Sequence, residues 1–309
     1  MNKRTLHIAG MMALLVFLVM GSPSPTQGQA WVPEKGHLSM SIFYEYSDVG
    51  NHLFSEDLIF QGINVGKEVD EFGDIKSHSV HLNLDYGLSN KLAVTASIPA
   101  VTSRYDGSIP DNPAVDDGTF HGGIQDFRLG IRYMSLVTPL VVTPSVSVVI
   151  PSHNYETLGH VSIGRNLKEL HVELYLGKLL AFVSDNLYAQ GVYNFAYTEE
   201  HEGLRANRSN VGLTFGYFVS PAISLATNLA YQKTHGGIDW LTDTGTEEGF
   251  HAHDRFAKAT HLRLGGSLSL EVTEALNLYI GYGRTLWGEN SHDIQSISLG
   301  TTWSLWLVD

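Results

Sequence analysis

The chain contains no cysteine, so it has no disulfide framework, no thiol nucleophile and no thiol for lipid attachment. Basic residues are scarce too: 19 Lys and Arg stand against 32 Asp and Glu. The resulting formal charge of −13 leaves no basic patch to neutralise phosphates, which excludes nucleic acid as a partner. Charged residues of both signs reach only 17%, below the roughly one-quarter share of soluble domains. Long apolar runs are missing. A bundle of membrane helices needs several runs of about 20 residues, and the one candidate, residues 8–20, lies at the extreme N-terminus. No phosphate-cradling glycine loop and no paired-cysteine metal motif occurs, and no cofactor is implied.

What the first thirty residues do contain is an export signal. Lys3 and Arg4 precede the apolar stretch, Pro23 and Pro25 break it, and Gly28-Gln29-Ala30 offers small residues where a signal peptidase reads. Cleavage is expected after Ala30, giving a signal peptide over 1–30 and one domain over 31–309. Losing two basic residues takes the formal charge from −13 to −15.

From residue 38 onward the sequence alternates between apolar and polar residues, the mark of strands with two unlike faces. Leu38, Met40, Ile42 and Tyr44 oppose Ser39, Ser41 and Glu45. Leu129, Ile131 and Tyr133 oppose Arg128, Gly130 and Arg132. Leu276, Leu278, Ile280 and Tyr282 oppose Asn277, Gly281 and Gly283. About a dozen such stretches occur, most of them longer than the five or six residues usual in soluble sheets and close to what a tilted membrane strand needs.

Short connections at 87–90, 137–139, 180–186, 220–221 and 271–275 alternate with long ones at 48–75, 103–123, 151–167, 199–208, 233–258 and 287–293. Short turns at one end and long loops at the other distinguish an outer-membrane barrel from a soluble one. Outward-facing Tyr44, Tyr46, Tyr197, Tyr231 and Tyr282 fall near one end, and Tyr86, Tyr133, Tyr217 and Trp303 near the other, as two interfacial belts require. The pattern predicts an all-β, transmembrane, antiparallel up-and-down barrel of about 12 strands in the outer membrane of a Gram-negative bacterium. An extra hairpin in the first long loop would make it 14. Its partners are then membrane lipid and the outer-membrane assembly machinery.

Gly122-Gly123-Ile124-Gln125-Asp126-Phe127-Arg128-Leu129-Gly130-Ile131-Arg132-Tyr133 resembles a segment that recurs in an outer-membrane barrel family labelled MetA-pathway of phenol degradation, whose members are often called transporters. Ile98-Pro99 and Ile150-Pro151 resemble further landmarks of that family. The chain departs from it at Gln125, where glycine is usual, and in its last residues, which lack the common terminal aromatic. The resemblance implies a barrel over about residues 37–307 and a transport-like role. It carries no catalytic residue.

Parity turns Glu45, His81, Asp85, Asp126, Arg128, Arg132, His171, Glu173 and Arg263 toward the lumen. Charges of both signs there line a permeation path and set its selectivity, or pair into a network that only stabilises the wall. The leading expectation is a passive channel for small organic, including aromatic, compounds, with such a permeant as the small-molecule partner and acidic loops favouring cations at the mouth. The alternative is a non-conducting structural or surface-interaction barrel. His235, His251 and His253, beside Glu247, Glu248 and Asp254, are weak metal candidates, because two-residue spacing on a loop predicts coordination poorly. An outer-membrane hydrolase ranks last. It needs a Ser/His pair on the lipid-facing surface, whereas parity turns the strand histidines inward. The chain is therefore not expected to be an enzyme. The six residues 31–36 ahead of the first strand are too few for an N-terminal hatch.

Overall fold

In hydrocarbon every backbone N–H and C=O must find a partner within the protein, so a sheet exposed to lipid can leave no open edge. The strands meet that demand by closing on themselves. A computed structural model describes residues 30–60, 63–69, 73–107, 110, 112–242 and 255–307. It contains β1 (His37–Phe60), β2 (Ile63–Val69), β3 (Asp74–Ser89), β4 (Leu92–Asp106), β5 (His121–Ile124), β6 (Phe127–Tyr133) and β7 (Val141–Ile150). These are followed by β8 (Glu169–Leu179), β9 (Leu187–Thr198), β10 (Asn207–Ser220), β11 (Ile223–His235), β12 (Thr260–Thr273), β13 (Leu276–Glu289) and β14 (Ser291–Trp306). Each wall strand pairs antiparallel with its neighbour, and β14 returns to β1 from His37↔Trp306 to Leu53↔Ser291.

The wall has 12 strands, as the alternation predicts. β5 and β6 occupy one wall position, both pairing with β4 across a one-residue bulge at Gln125-Asp126. Pro99 of β4 lies beside that bulge, where it has no N–H to give the ladder, and its carbonyl takes the Gln125 N–H instead. The extra hairpin in the first long loop does form. β2 pairs only with the outer end of β1, so the hairpin rises above the wall and the ring stays at 12.

The two faces are those that parity assigns. On β6, Leu129, Ile131 and Tyr133 are 46–51% exposed, while Arg132 between them is 6% exposed. On β7, Val146 and Val148 face outward and Thr143, Ser145 and Ser147 are buried inside. An outward belt of Leu, Val, Ile and Tyr around a polar interior is the inverse of a soluble barrel, and it belongs in lipid. Among the described residues no helix is long and apolar enough to cross a membrane.

One connection differs from the sequence expectation. The stretch 287–293 is no long loop: β13 runs to Glu289, β14 starts at Ser291, and Asn290 alone turns the chain at φ 47°. Asn tolerates that left-handed conformation better than most residues. At the periplasmic mouth the chain before β1 makes contacts inside the wall through Ala30 and Trp31. Ala30 is fully buried beside Val141 and Tyr175, its N–H reaches Gln190 Oε1 at 3.2 Å, and its carbonyl accepts the Thr143 hydroxyl at 2.5 Å. Trp31 lies over Gly177, where a Cβ would come within 2.9 Å of the indole, so glycine makes the close approach available.

At the opposite end the long connections pack on one another. Leu167, Ala206, Ile238 and Phe256 form one apolar cluster, Phe54, Val69 and Trp240 a second, and Ile75, Tyr105 and Val161 a third. Asp116 ties two of these loops together. It accepts the N–H groups of Asn112, His160 and Val161 at 3.0–3.2 Å, and His160 Nδ1 lies 3.1 Å away.

Candidate functional site: the barrel lumen

Three of the lumenal ion pairs skip the strand between their members. Arg132 of β6 reaches past Ala93 of β4 to Asp85 of β3. Arg128 of β6 reaches past Ser147 of β7 to Glu173 of β8, with Nη2 2.6 Å from Oε1 and Nε 3.0 Å from the serine hydroxyl. Arg208 of β10 reaches past β9, where Ala196 is fully buried, to Glu169 of β8. Long guanidinium arms can lie along the wall this way only if the intervening strand presents a small side chain. Gly130, between Arg128 and Arg132, supplies the rest of the room: a Cβ there would meet Thr95 Oγ1 at 2.8 Å.

Glu173 also accepts the hydroxyls of Tyr175 at 2.8 Å and Ser145 at 3.0 Å. His171 Nε2 lies 2.9 Å from Glu169, and Arg165 Nη1 lies 3.2 Å from the other oxygen of the same carboxylate. Of the residues predicted from sequence, Asp85, Arg128, Arg132, His171 and Glu173 therefore come together in bonded groups. Asp126 stands apart at the bulge and accepts the Tyr155 hydroxyl at 2.6 Å. His81 stacks on Phe43 inside the barrel. Among the described residues Glu45 receives only the Ser47 hydroxyl, at 3.3 Å. Arg263 donates to Ser296 at 3.3 Å and lies within electrostatic range of Glu45, with no ion pair among the described residues.

Glu169, Arg165, Arg208, Arg255, Asp116 and His160 are absent from the sequence-based set. Glu169 shares parity with His171 and Glu173, so extending β8 by one residue would have found it. The others sit on loops or at a loop boundary, where period two says nothing.

The strand histidines correct one expectation, for they do not all point inward. His78 Nδ1 lies 2.6 Å from the Tyr44 hydroxyl, and His235 Nε2 lies 2.8 Å from the Ser209 hydroxyl, both exposed on the outer face near the long-loop end. His235 thus contacts a serine, and its proposed companions His251 and His253 lie outside the described residues. No group of metal-binding geometry occurs among the described residues.

Beneath the packed loops a cavity of about 390 Å³ opens inside the wall. Its charged and titratable lining is Arg165, Arg255 and Arg263 with His160, His261 and His292. Burial, with Arg208 next in weight, pushes the Arg165 guanidinium down to about 9 against the pull of Glu169. Burial also lowers Arg255.

A closed ring with an apolar outer belt, short turns at one end and folded loops at the other defines an outer-membrane β-barrel. No family model and no curated protein sequence matches the chain. Among solved structures, the COG4313 outer membrane channel from Pseudomonas putida F1 is similar in fold. Its TM-score is 0.66 at 15% identity, covering 92% of this chain and all of that one. The NanC porin gives a TM-score of 0.49 at 11% identity over 86% of this chain and all of its own.

Proposed function

We propose that the chain is a passive outer-membrane channel for small organic solutes, aromatic ones included. The observation that carries this reading is the 390 Å³ cavity enclosed by a 12-stranded wall, with the loops framing it on the long-loop side. A barrel of this size lies between eight-stranded barrels filled by side chains and the wide porins. Because the ion pairs lie along the wall, the lumen need not be crossed by them. Membrane lipid, the assembly machinery and the permeant are the partners of such a channel, and the resemblance of residues 122–133 to a transporter-like family agrees with it.

A specific observation favours a second reading, a non-conducting barrel with a structural or surface role. Folded segments stand at both mouths, the loop clusters at one and Trp31 at the other. The Ser209–His235 contact does not raise the hydrolase reading, because no polar group orients His235 Nδ1 among the described residues.

Single-channel recording of the full chain in a planar bilayer separates the two. Discrete conductance steps support the channel. A barrel with the heat-shifted gel mobility of a folded protein that gives no steps supports the structural reading.

A further inference from the structure

We propose that the cavity beneath the loops is a binding site for a small organic carboxylate, held at its charged end by Arg263 and Arg255 and along its body by the apolar wall. The proposal rests on the channel reading only in treating this carboxylate as a permeant. The site itself is argued from the cavity.

Cationic lining without an anionic counterpart is the first observation. Three guanidiniums face the cavity, and no Asp or Glu lines it among the described residues, although the chain as a whole is strongly acidic. Asp116, which holds the lining residue His160, lies behind that lining, as do Asp126 and Glu169. Asp126 is engaged by Tyr155, and Glu169 already serves Arg165, Arg208 and His171.

The second observation is the state of the arginines. Arg263, inside the barrel, has a serine hydroxyl as its hydrogen-bond acceptor and no carboxylate within ion-pair distance among the described residues. Arg255 donates to the main-chain carbonyls of Arg165 and Asn166 at 2.8 and 3.2 Å, again without an ion pair. Arg263, inside the wall, has the longer-range charge of Glu45 as partial compensation for its lost hydration. A buried charge without a close partner is costly, and a bound carboxylate lowers that cost with charge-assisted, fork-shaped hydrogen bonds. Arg255, partly buried and within range of Glu199, Glu202 and Asp126, supplies a second donor.

The third observation is the rest of the surface. Val101, Ile163, Trp240 and Ile294 line the same cavity, so an inorganic anion would leave them in contact with water. A volume of about 390 Å³ is within the range of small-molecule pockets. Guanidinium groups together with aliphatic and indole surface in one cavity fit a carboxylate on an apolar body.

Calorimetric titration of the detergent-solubilised full chain with benzoate, benzyl alcohol, benzylammonium and acetate tests this. Benzoate is expected to bind at least about tenfold more tightly than the other three. Arg263→Gln should bring benzoate down to the level of benzyl alcohol, and Arg263→Lys should fall between. If Arg263→Gln loses the heat-shifted band of the folded barrel, Arg255→Gln carries the same expectation. Absence of benzoate binding, equal affinity for benzyl alcohol, or unchanged binding in a folded variant would overturn the site. Acetate binding as tightly as benzoate would overturn its organic character. None of these outcomes depends on conductance, so failure of the site and failure of the channel reading are distinguishable.

Discussion

Arg132 and Asp85 belong to strands that are not neighbours, yet they form an ion pair across Ala93, which is itself fully buried beneath the guanidinium. The side chains retain only 7% and 17% exposure, so neither charge has water as an adequate substitute for the other.

Replacing Arg132 with Gln should therefore strand the Asp85 carboxylate, at a cost of about 3–5 kcal/mol. Replacing both, as Arg132→Gln with Asp85→Asn, should cost clearly less than the single change. Urea unfolding in lipid, followed by gel mobility, gives both numbers. Equal losses for the single and double variants would show that the pair is not coupled.

Leu278 is exposed on the outer belt, while Ser267 of β12 has lumenal parity. Arg at position 278 should destabilise the inserted barrel by about 2–4 kcal/mol, and Arg at 267 by much less. Similar losses on the two faces would place the apolar belt somewhere other than lipid.

Cysteines introduced at Thr119 and Thr157, on the long-loop side, should react with a membrane-impermeant maleimide on intact cells. Cysteines at Ser89 and Thr273, in the short turns, should react only after lysis. Thr244, in the longest loop, lies outside the described residues. A reversed labelling order would turn the barrel over.

Asp116 is held below the usual carboxylate range. Burial acts to raise it, but the hydrogen bonds from His160 and Asn112 outweigh that. A depressed carboxylate contributes stability that is fully present above its unfolded value of about 3.9 and is lost as pH falls through the lower folded value. The junction between residues 112–116 and 159–161 should thus hold at neutral pH and open only below about pH 4. Asp116→Asn should weaken it at neutral pH and flatten the dependence. Amide exchange of those two segments from pH 7 to 3 is the measurement, and protection that stays constant throughout would contradict it.

Much of the wall was legible from residues alone, because a side-chain period of two leaves a strand only two faces. Leu129, Arg128, Ile131 and Arg132 could be assigned to lipid and lumen before any contact was known. The asymmetry of turn lengths oriented the strands for the same reason: it is a local property of the chain. The bulge at Gln125-Asp126 was harder to see, although Pro99, the residue it lies beside, stands plainly in the sequence.

What parity cannot supply is the partner of each lumenal charge. Arg128 finds Glu173, 45 residues away, and Arg132 finds Asp85, 47 residues away, only because strand pairing and register put them two strands apart with Ser147 and Ala93 between. The loops are further still from the sequence signal. Asp116 and His160, or Arg165 and Arg255, meet because the ends of distant strands are brought to one rim, and no periodicity runs through an irregular segment to announce it. The sequence by itself determined that a two-faced sheet would cross a membrane and which side chains would face water. Only the tertiary structure decided that, among the described residues, the interior cations Arg263 and Arg255 form no ion pair, since pairing depends on distances that strand register and loop packing set.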